Sequence, residues 1–343
     1  MDACYAAQRI AFGPVVFQAC RVLRDLGVLH ELHRHSAGVT LTALQSGTDL
    51  SRYALKLLLE SGMSADVVRL EDERWHLTRT GWFLLEDELT RINMDFVHHV
   101  NYQALFHLDR SIHEERPVGL AAFGDWPVIY PGLSSLPAPV RDSWFRFDHY
   151  YSDAAIDQAC ATVLAEHPRK VLEIGGNTGS FSMALAAASD DAAITLLDLP
   201  EQIALAKQRF AAHALDGRIG TVAADMLDGK PLDGEYDLIW MSQFLDCFGQ
   251  ADIVRVLRKA RGALARNGSI LIMEPLWDRQ RFEVSAYCII NTSPYFTVMA
   301  NGCSKMSSFT DLQRCIADAG LEVGGTRDGL GICQTILRCR QPA

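Results

Sequence analysis

Residues Lys170 to Gly179 read KVLEIGGNTG, a run of strand formers that passes directly into a loop with three glycines among its five residues, 175–179. Glycine adopts dihedrals closed to other residues and carries no Cβ to hold a ligand off the backbone. Asn177 is one of the few other residue types that tolerate a left-handed conformation. A helix is expected from about Phe181. Working outward, short apolar strands are expected at Lys170 to Ile174, Ile194 to Asp198, Ile219 to Ala223, Tyr236 to Met241, Ser269 to Glu274, Leu321 to Thr326 and Gln334 to Arg338. Helical segments separate most of them, which is the sequence form of an α/β, Rossmann-like, mostly parallel seven-stranded sheet. The last two strands are close enough in sequence to form an antiparallel pair. In such open sheets ligands bind beyond the carboxyl ends of the strands, where the glycine loop lies.

Asp198 follows Gly179 by nineteen residues and ends the second strand, well placed to accept hydrogen bonds from the two hydroxyls of a ribose. Both NAD and S-adenosylmethionine carry such a ribose. The loop lacks the G-x-G-x-x-G spacing of a dinucleotide fingerprint and contains no Lys or Arg for a pyrophosphate. A sulfonium with an amino-acid tail instead calls for acidic and carbonyl groups, and Asp225 after the third strand adds one more.

The chain has 343 residues, 49% hydrophobic and 22% charged, which is globular composition with room for two or three folded units. Its formal net charge of -10 repels a phosphate backbone, so nucleic acid is not the expected partner. Nine cysteines without a C-x-x-C pair fit a reduced, cytoplasmic protein. No apolar run approaches the roughly 18 residues needed to span a bilayer, and no signal peptide is evident, so no membrane role is expected.

Residues 1–92 are expected to form a winged-helix dimerisation domain. One amphipathic helix spans Gly13 to Leu32, shorter ones span Thr40 to Ser46 and Ser51 to Ser61, and strands Val67 to Leu70 and Trp75 to Leu77 make a two-stranded wing. A winged helix invites a DNA-binding reading, but residues 1–100 carry ten Lys or Arg against thirteen Asp or Glu and the wing turn is acidic. Residues 93–160 are expected to be a helical linker contributing to an acceptor pocket. Aromatic residues are dense there, and the Pro-punctuated stretch Pro117 to Pro139 reads as a surface connection. Residues 161–343 are the expected cofactor domain. His30, His33, His35, His98 and His99 have no ligand partners at metal spacing, so no metal is expected.

The residues Val171 to Gly179, Asp198-Leu199-Pro200, Ala224-Asp225-Met226, Met241 to Leu257 and Glu274-Pro275 resemble a known family along nearly the whole chain. It is that of S-adenosylmethionine-dependent small-molecule O-methyltransferases, which includes plant caffeate enzymes, hydroxyindole enzymes and many bacterial relatives. The resemblance implies S-adenosylmethionine as cofactor, a homodimer, and a small aromatic or polyketide-like acceptor of secondary metabolism. It implies that Glu173, Gly175, Gly176 and Gly179 hold the methionine part of the cofactor. Asp198 with Leu199 would hold the ribose, and Asp225 and Met226 would flank the adenine. Ser242, which stands where the family often has Lys, and Gln243 are placed with the cofactor residues.

The chain departs from the family at a decisive place. Many relatives carry His-Asp-Trp after the fourth strand, with the His as general base; here Asp246, Cys247 and Phe248 occupy those positions. Asp246 is one candidate base if burial raises its pKa, and His149 is the other. The plainer alternatives are a cap on the helix starting at Gln250 for Asp246 and a core histidine for His149. Phe244, Phe248, Trp277, Phe296 and Met299 could wall an apolar acceptor pocket. The missing His also leaves open methylation of a phenol ring carbon, or a cofactor-binding protein that has lost catalysis.

Overall fold

Two units make up the computed structural model, which describes residues 2–342, and the chain passes from one to the other between His98 and His99. In the first unit α1 (Ala3–Ala11), α2 (Gly13–Asp25) and α3 (Val28–His33) are followed by β1 (Val39–Thr40), α4 (Leu41–Gly47) and α5 (Arg52–Ser64). Then come β2 (Val68–Glu71), β3 (Arg74–Leu77), α6 (Arg79–Glu86) and α7 (Glu88–Phe96). Side-chain oxygens of Thr40, Ser51, Thr78 and Asp87 accept a backbone N–H in the first turns of α4, α5, α6 and α7, which is why these helices start where they do.

Two expectations need correction in this unit. The helix read as continuous from Gly13 to Leu32 is two helices, because Gly27 takes a left-handed φ of +76° and breaks the apolar periodicity between them. The wing has three strands in the order β1-β3-β2, because the two-residue β1, too short to leave a periodic signal, pairs with Arg74 and Trp75. The β2–β3 turn is built on Asp72 and Glu73, both at positive φ (+45° and +62°).

The second unit begins with α8 (Leu108–Glu114), α9 (Ala138–Asp153) and α10 (Ile156–Leu164). The stretch between Pro117 and Pro139 is not a surface connection. It winds into short 3-10 turns, Val118–Ala122 and Tyr130–Ser135, and buries Leu120, Ile129, Leu133 and Leu136. Proline interrupts regular structure there, but the apolar residues between the prolines still leave water.

The sheet follows: β4 (Lys170–Ile174), α11 (Ser180–Ala188), β5 (Ala193–Asp198), α12 (Pro200–Ala212), β6 (Ile219–Ala223), β7 (Tyr236–Ser242) and α13 (Gln250–Gly262). It continues through β8 (Leu264–Glu274), α14 (Glu283–Tyr295), α15 (Phe309–Asp318), β9 (Glu322–Leu330) and β10 (Gln334–Arg340). All seven strands form one sheet in the order β6-β5-β4-β7-β8-β10-β9. β6 through β8 in that order run parallel, while β10 is antiparallel to both β8 and β9.

Alternation along the central strands sorts side chains to two faces. Leu172, Ile174, Ile239 and Met241 pack with Ile253, Leu257, Leu312 and Ile316 of α13 and α15. Val171, Leu238 and Trp240 pack with Val163, Phe181, Leu185 and Phe210 of α10, α11 and α12. The Trp240 ring is fully buried and stacks on Phe181 at 4.6 Å. This is a doubly wound, Rossmann-like arrangement with helices on both faces of the sheet. Because β4 lies between β5 and β7, the order of connection reverses beside it, and the crevice at its carboxyl end is the expected ligand position. Among the described residues no helix is long and apolar enough to cross a membrane.

Candidate active site

The glycine loop is held from below by the chain itself. Gly175 has a φ of +76°, its N–H donates to the Leu197 carbonyl at 2.9 Å, and a Cβ there would collide with the Phe244 ring. A Cβ on Gly176 would collide with the Glu173 carboxyl. Glu173, only 3% exposed, lies beneath the loop: its Oε2 accepts from Ser182 N at 3.1 Å and from Ser182 Oγ. Burial pushes its carboxyl up to about 7, against the pull of the two Ser182 hydrogen bonds. Gly179, the last loop glycine, is left-handed at φ +79° and backs on Phe210.

Asp198 fastens the outer part of the loop. Its Oδ2 accepts from Asn177 N and its Oδ1 from Leu199 N, both at 2.7 Å, and Asn177 takes a positive φ of +54°. Burial raises the Asp198 carboxyl while these two N–H groups lower it. Each carboxylate oxygen keeps a second lone pair, so the group can still accept from ribose hydroxyls. Asp225 is exposed and its Oδ1 accepts from Leu227 N at 2.8 Å, while Lys259 donates to its carbonyl at 2.8 Å and to Asp228 at 2.6 Å. Met226 is buried in the core and Leu199 is exposed. Sequence reasoning missed Arg209, which crosses from α12 to donate to the hydroxyls of Thr178 at 2.9 Å and Ser180 at 2.7 Å. The donor set fits S-adenosylmethionine: half-buried loop backbone whose glycines leave no Cβ in the way, carboxylates at the end of β5 and after β6, and a guanidinium engaged by hydroxyls of the loop's own end.

The other half of the site lies after β7 and β8. Ser242 ends β7, and Gln243 takes a positive φ of +46° and donates its N–H to the Met273 carbonyl at 2.9 Å. The Gln243 side-chain oxygen accepts from the Gln334 amide, which also donates to the Tyr151 carbonyl at 3.2 Å. The chain then tightens into the 3-10 turn Leu245–Cys247, which carries Asp246. Glu274 holds this turn, its Oε1 accepting from Phe244 N at 3.1 Å and Leu245 N at 2.8 Å. Its Oε2 is buried without a hydrogen-bond partner.

Asp246 is 8% exposed; its Oδ1 accepts from the Cys247 thiol at 3.5 Å, and the backbone N–H groups of Cys247 and Asp246 also favour its charged form. It does not cap the following helix, whose N-cap is Gly249 with no side-chain bond. Burial, and after it the charge of Asp148, raises the Asp246 carboxyl; burial and the charge of Asp246 hold Glu274 well above the usual carboxylate range. Asp148, on α9, is itself raised by burial and by Asp153, with adjacent His149 pulling the other way. On the same helix, one turn earlier, Trp144 donates Nε1 to the Tyr295 hydroxyl at 2.6 Å. Tyr295 and Tyr130 are both raised by burial and then by their acidic neighbours.

His149 is not brought to this group. Its side chain is 48% exposed, lies 3.4 Å from Asp153 and stacks on Phe145, because one helical step turns it away from the face that carries Asp148. Asp148 is the acidic residue that sequence reasoning missed, hidden in the string Phe147-Asp148-His149 where the histidine drew attention. Of the aromatic candidates, Phe244 and Phe248 form an edge-to-face pair at 5.0 Å, while Phe296 and Met299 are core residues. Among the described residues no group of three or more His, Cys, Asp or Glu could hold a metal ion.

Residues 5–75 match the Dimerisation2-like domain and residues 172–270 match the Methyltransferase domain. A 3-hydroxy-5-methyl-1-naphthoate 3-O-methyltransferase from Streptomyces sahachiroi is 31% identical over 128 residues, which is 37% of this chain and 37% of that protein. An L-tyrosine C(3)-methyltransferase from Streptomyces lavendulae is 24% identical over 78% of this chain and 73% of its own length. Among solved structures, the S-adenosylmethionine-dependent methyltransferase SibL superposes with a TM-score of 0.73 at 21% identity, covering 98% of this chain and 99% of that one.

Proposed function

We propose that this chain, a member of the S-adenosylmethionine-dependent small-molecule O-methyltransferases, methylates a hydroxyl of a small aromatic or polyketide-like acceptor, with Asp246 handling the proton that the hydroxyl gives up. The single observation that carries the reading is the position of a buried carboxyl, raised toward neutrality, at the turn after β7 and beside the strand ends that form the cofactor cradle. The bound cofactor supplies an electrophilic methyl group on a sulfonium. Backbone groups of the glycine loop and Glu173 beneath it would shape the seat of the amino-acid end, Asp198 with Leu199 would hold the ribose, and Asp225 and Met226 would flank the adenine. Ser242 and Gln243 complete the wall between cofactor and acceptor.

On the acceptor side, Asp246 takes the hydroxyl proton on a carboxylate oxygen and later returns it to solvent. An unperturbed aspartate is too weak a base for a phenol, and burial with a like charge nearby narrows the mismatch by raising the Asp246 carboxyl to about 7. Phe244 and Phe248 exclude water from the turn. Positioning of the hydroxyl supplies much of the remaining rate. The enzyme acts as a cytoplasmic homodimer in secondary metabolism. Support for the dimer comes from the match of residues 5–75 and from Ile10, Phe12 and Val15, which stand exposed on the first two helices and the residue between them.

A second reading, transfer to a ring carbon, has two observations in its favour: Asp246 stands where the usual histidine would, and a relative matching 78% of the chain is named an L-tyrosine C(3)-methyltransferase. Incubation with a 13C-methyl donor and a panel of phenols, followed by mass spectrometry and NMR of the labelled methyl, separates oxygen from carbon transfer. A labelled methyl on oxygen supports the first reading, one on a ring carbon the second, and no product from any phenol contradicts both.

A further inference from the structure

In the loop 175–179, Gly175, Asn177 and Gly179 all take positive φ. Such a loop is costly to hold in one conformation, because glycine loses more freedom on ordering than any other residue. Two of its ties come from the end of β5: Gly175 N donates to the Leu197 carbonyl and Asn177 N to Asp198 Oδ2. The far end is held from α12 instead. Arg209, half-buried in the last turn of that helix, donates from a single nitrogen, Nη1, to Thr178 Oγ1 at 2.9 Å and to Ser180 Oγ at 2.7 Å. The next residue, Phe210, fills the space where Gly179 has no Cβ.

Those two bonds fix more than the backbone. A hydroxyl that accepts from a guanidinium turns its own proton elsewhere, so both oxygens become O–H donors toward other partners, polarised by the charged group behind them. Among the described residues neither hydroxyl donates to another group, and Arg209 forms no ion pair with a carboxylate. The rest of the cradle is acidic, with Glu173 beneath the loop and Asp198 and Asp225 after the next two strands, and the loop itself has no Lys or Arg. S-adenosylmethionine carries one anionic group, the carboxylate of its amino-acid end, and that group needs donors in a cradle otherwise suited to its positive charges.

Resting on the methyltransferase reading, we propose that Arg209 is a positioning residue for the cofactor: it fixes residues 178–180 and presents the hydroxyls of Thr178 and Ser180 as donors to the carboxylate of the amino-acid end. The guanidinium acts through the two hydroxyls, which spread its charge toward the loop.

Calorimetry on the full chain tests this with two probes, S-adenosylhomocysteine and 5'-methylthioadenosine, the second of which keeps the adenosine and the sulfur but has no amino-acid end. Arg209→Met should weaken S-adenosylhomocysteine binding about tenfold, the effect of one lost charge-assisted hydrogen bond, and leave 5'-methylthioadenosine within about twofold. Arg209→Lys should recover the affinity to within about threefold, because one ammonium can donate to both hydroxyls. Thr178→Val combined with Ser180→Ala should reproduce the loss, and adding Arg209→Met to that pair should cost no more than about a further twofold. If Arg209→Met does not fold, the hydroxyl pair decides in its place, since it leaves the guanidinium intact. An equal loss for both probes, no loss for S-adenosylhomocysteine, a lysine variant as weak as the methionine one, or losses that add in full overturns the proposal. The underlying reading fails separately, when the wild type binds neither probe or transfers no labelled methyl to any phenol.

Discussion

The two edges of the second unit's site differ in how far the chain satisfies itself. At the ends of β4 and β5 every carboxylate oxygen used by the fold has a donor: Asp198 is bonded by Asn177 and Leu199, and Glu173 by Ser182. At the ends of β7 and β8 the carboxyls are raised by burial and by one another, and Glu274 Oε2 and Gln334 Oε1 have no partner. The first edge is preorganised for a ligand whose shape is fixed. The second holds unmet hydrogen-bonding capacity and protons near the neutral range, which is the condition for chemistry and selectivity.

The substitution that tests this contrast hardest is Asp246→Asn. It should lower kcat by about 10²- to 10⁴-fold, the usual contribution of a general base, while S-adenosylhomocysteine affinity stays within about threefold. Labelled-methyl turnover and calorimetry on the same preparation read both. On the opposite edge, Asp198→Ala should weaken S-adenosylhomocysteine binding by about 10- to 100-fold, because it removes both the ribose acceptors and the tie to Asn177. A loss of kcat without loss of affinity would merge the two edges.

Glu173 provides a smaller effect with a defined pH window. Its folded pKa, about 7, stands above the ordinary 4.5, so the native state binds the extra proton between these values. Stability contributed by that proton is complete below about 4.5 and is lost as pH rises through about 7. Denaturant midpoints of the wild type should therefore fall across this interval by more than those of Glu173→Gln, in which the slope flattens. The smallest effect belongs to His149→Ala, which should change turnover by less than about twofold because the ring is half-exposed and turned from Asp246. A large loss there would return His149 to the catalytic group.

The division of the site also explains what could be read from residues alone. Glycine spacing, strand-end acids and alternating apolar runs are local signals, so the seven strands and the loop 175–179 were legible to within a few residues. Gly27 was passed over because one glycine inside an apolar period does not by itself announce a break. The buried stretch 117–139 was misread because proline marks the end of regular structure and says nothing about burial. Asp148 was invisible for another reason: its role depends on which face of α9 meets Asp246, nearly a hundred residues later, and only packing decides that. The family resemblance implies Glu173 as a cofactor residue, and only packing reveals that its Oε2 is engaged by Ser182 beneath the loop.

A crystal structure of the S-adenosylhomocysteine complex tests the central claim most directly. The account predicts ribose hydroxyls on Asp198 and the sulfur directed at the turn 245–247, with Asp246 and Asp148 on the side that the methyl group would face. A sulfur turned from that turn, or the ring of Phe244 standing between it and Asp246, would contradict the account.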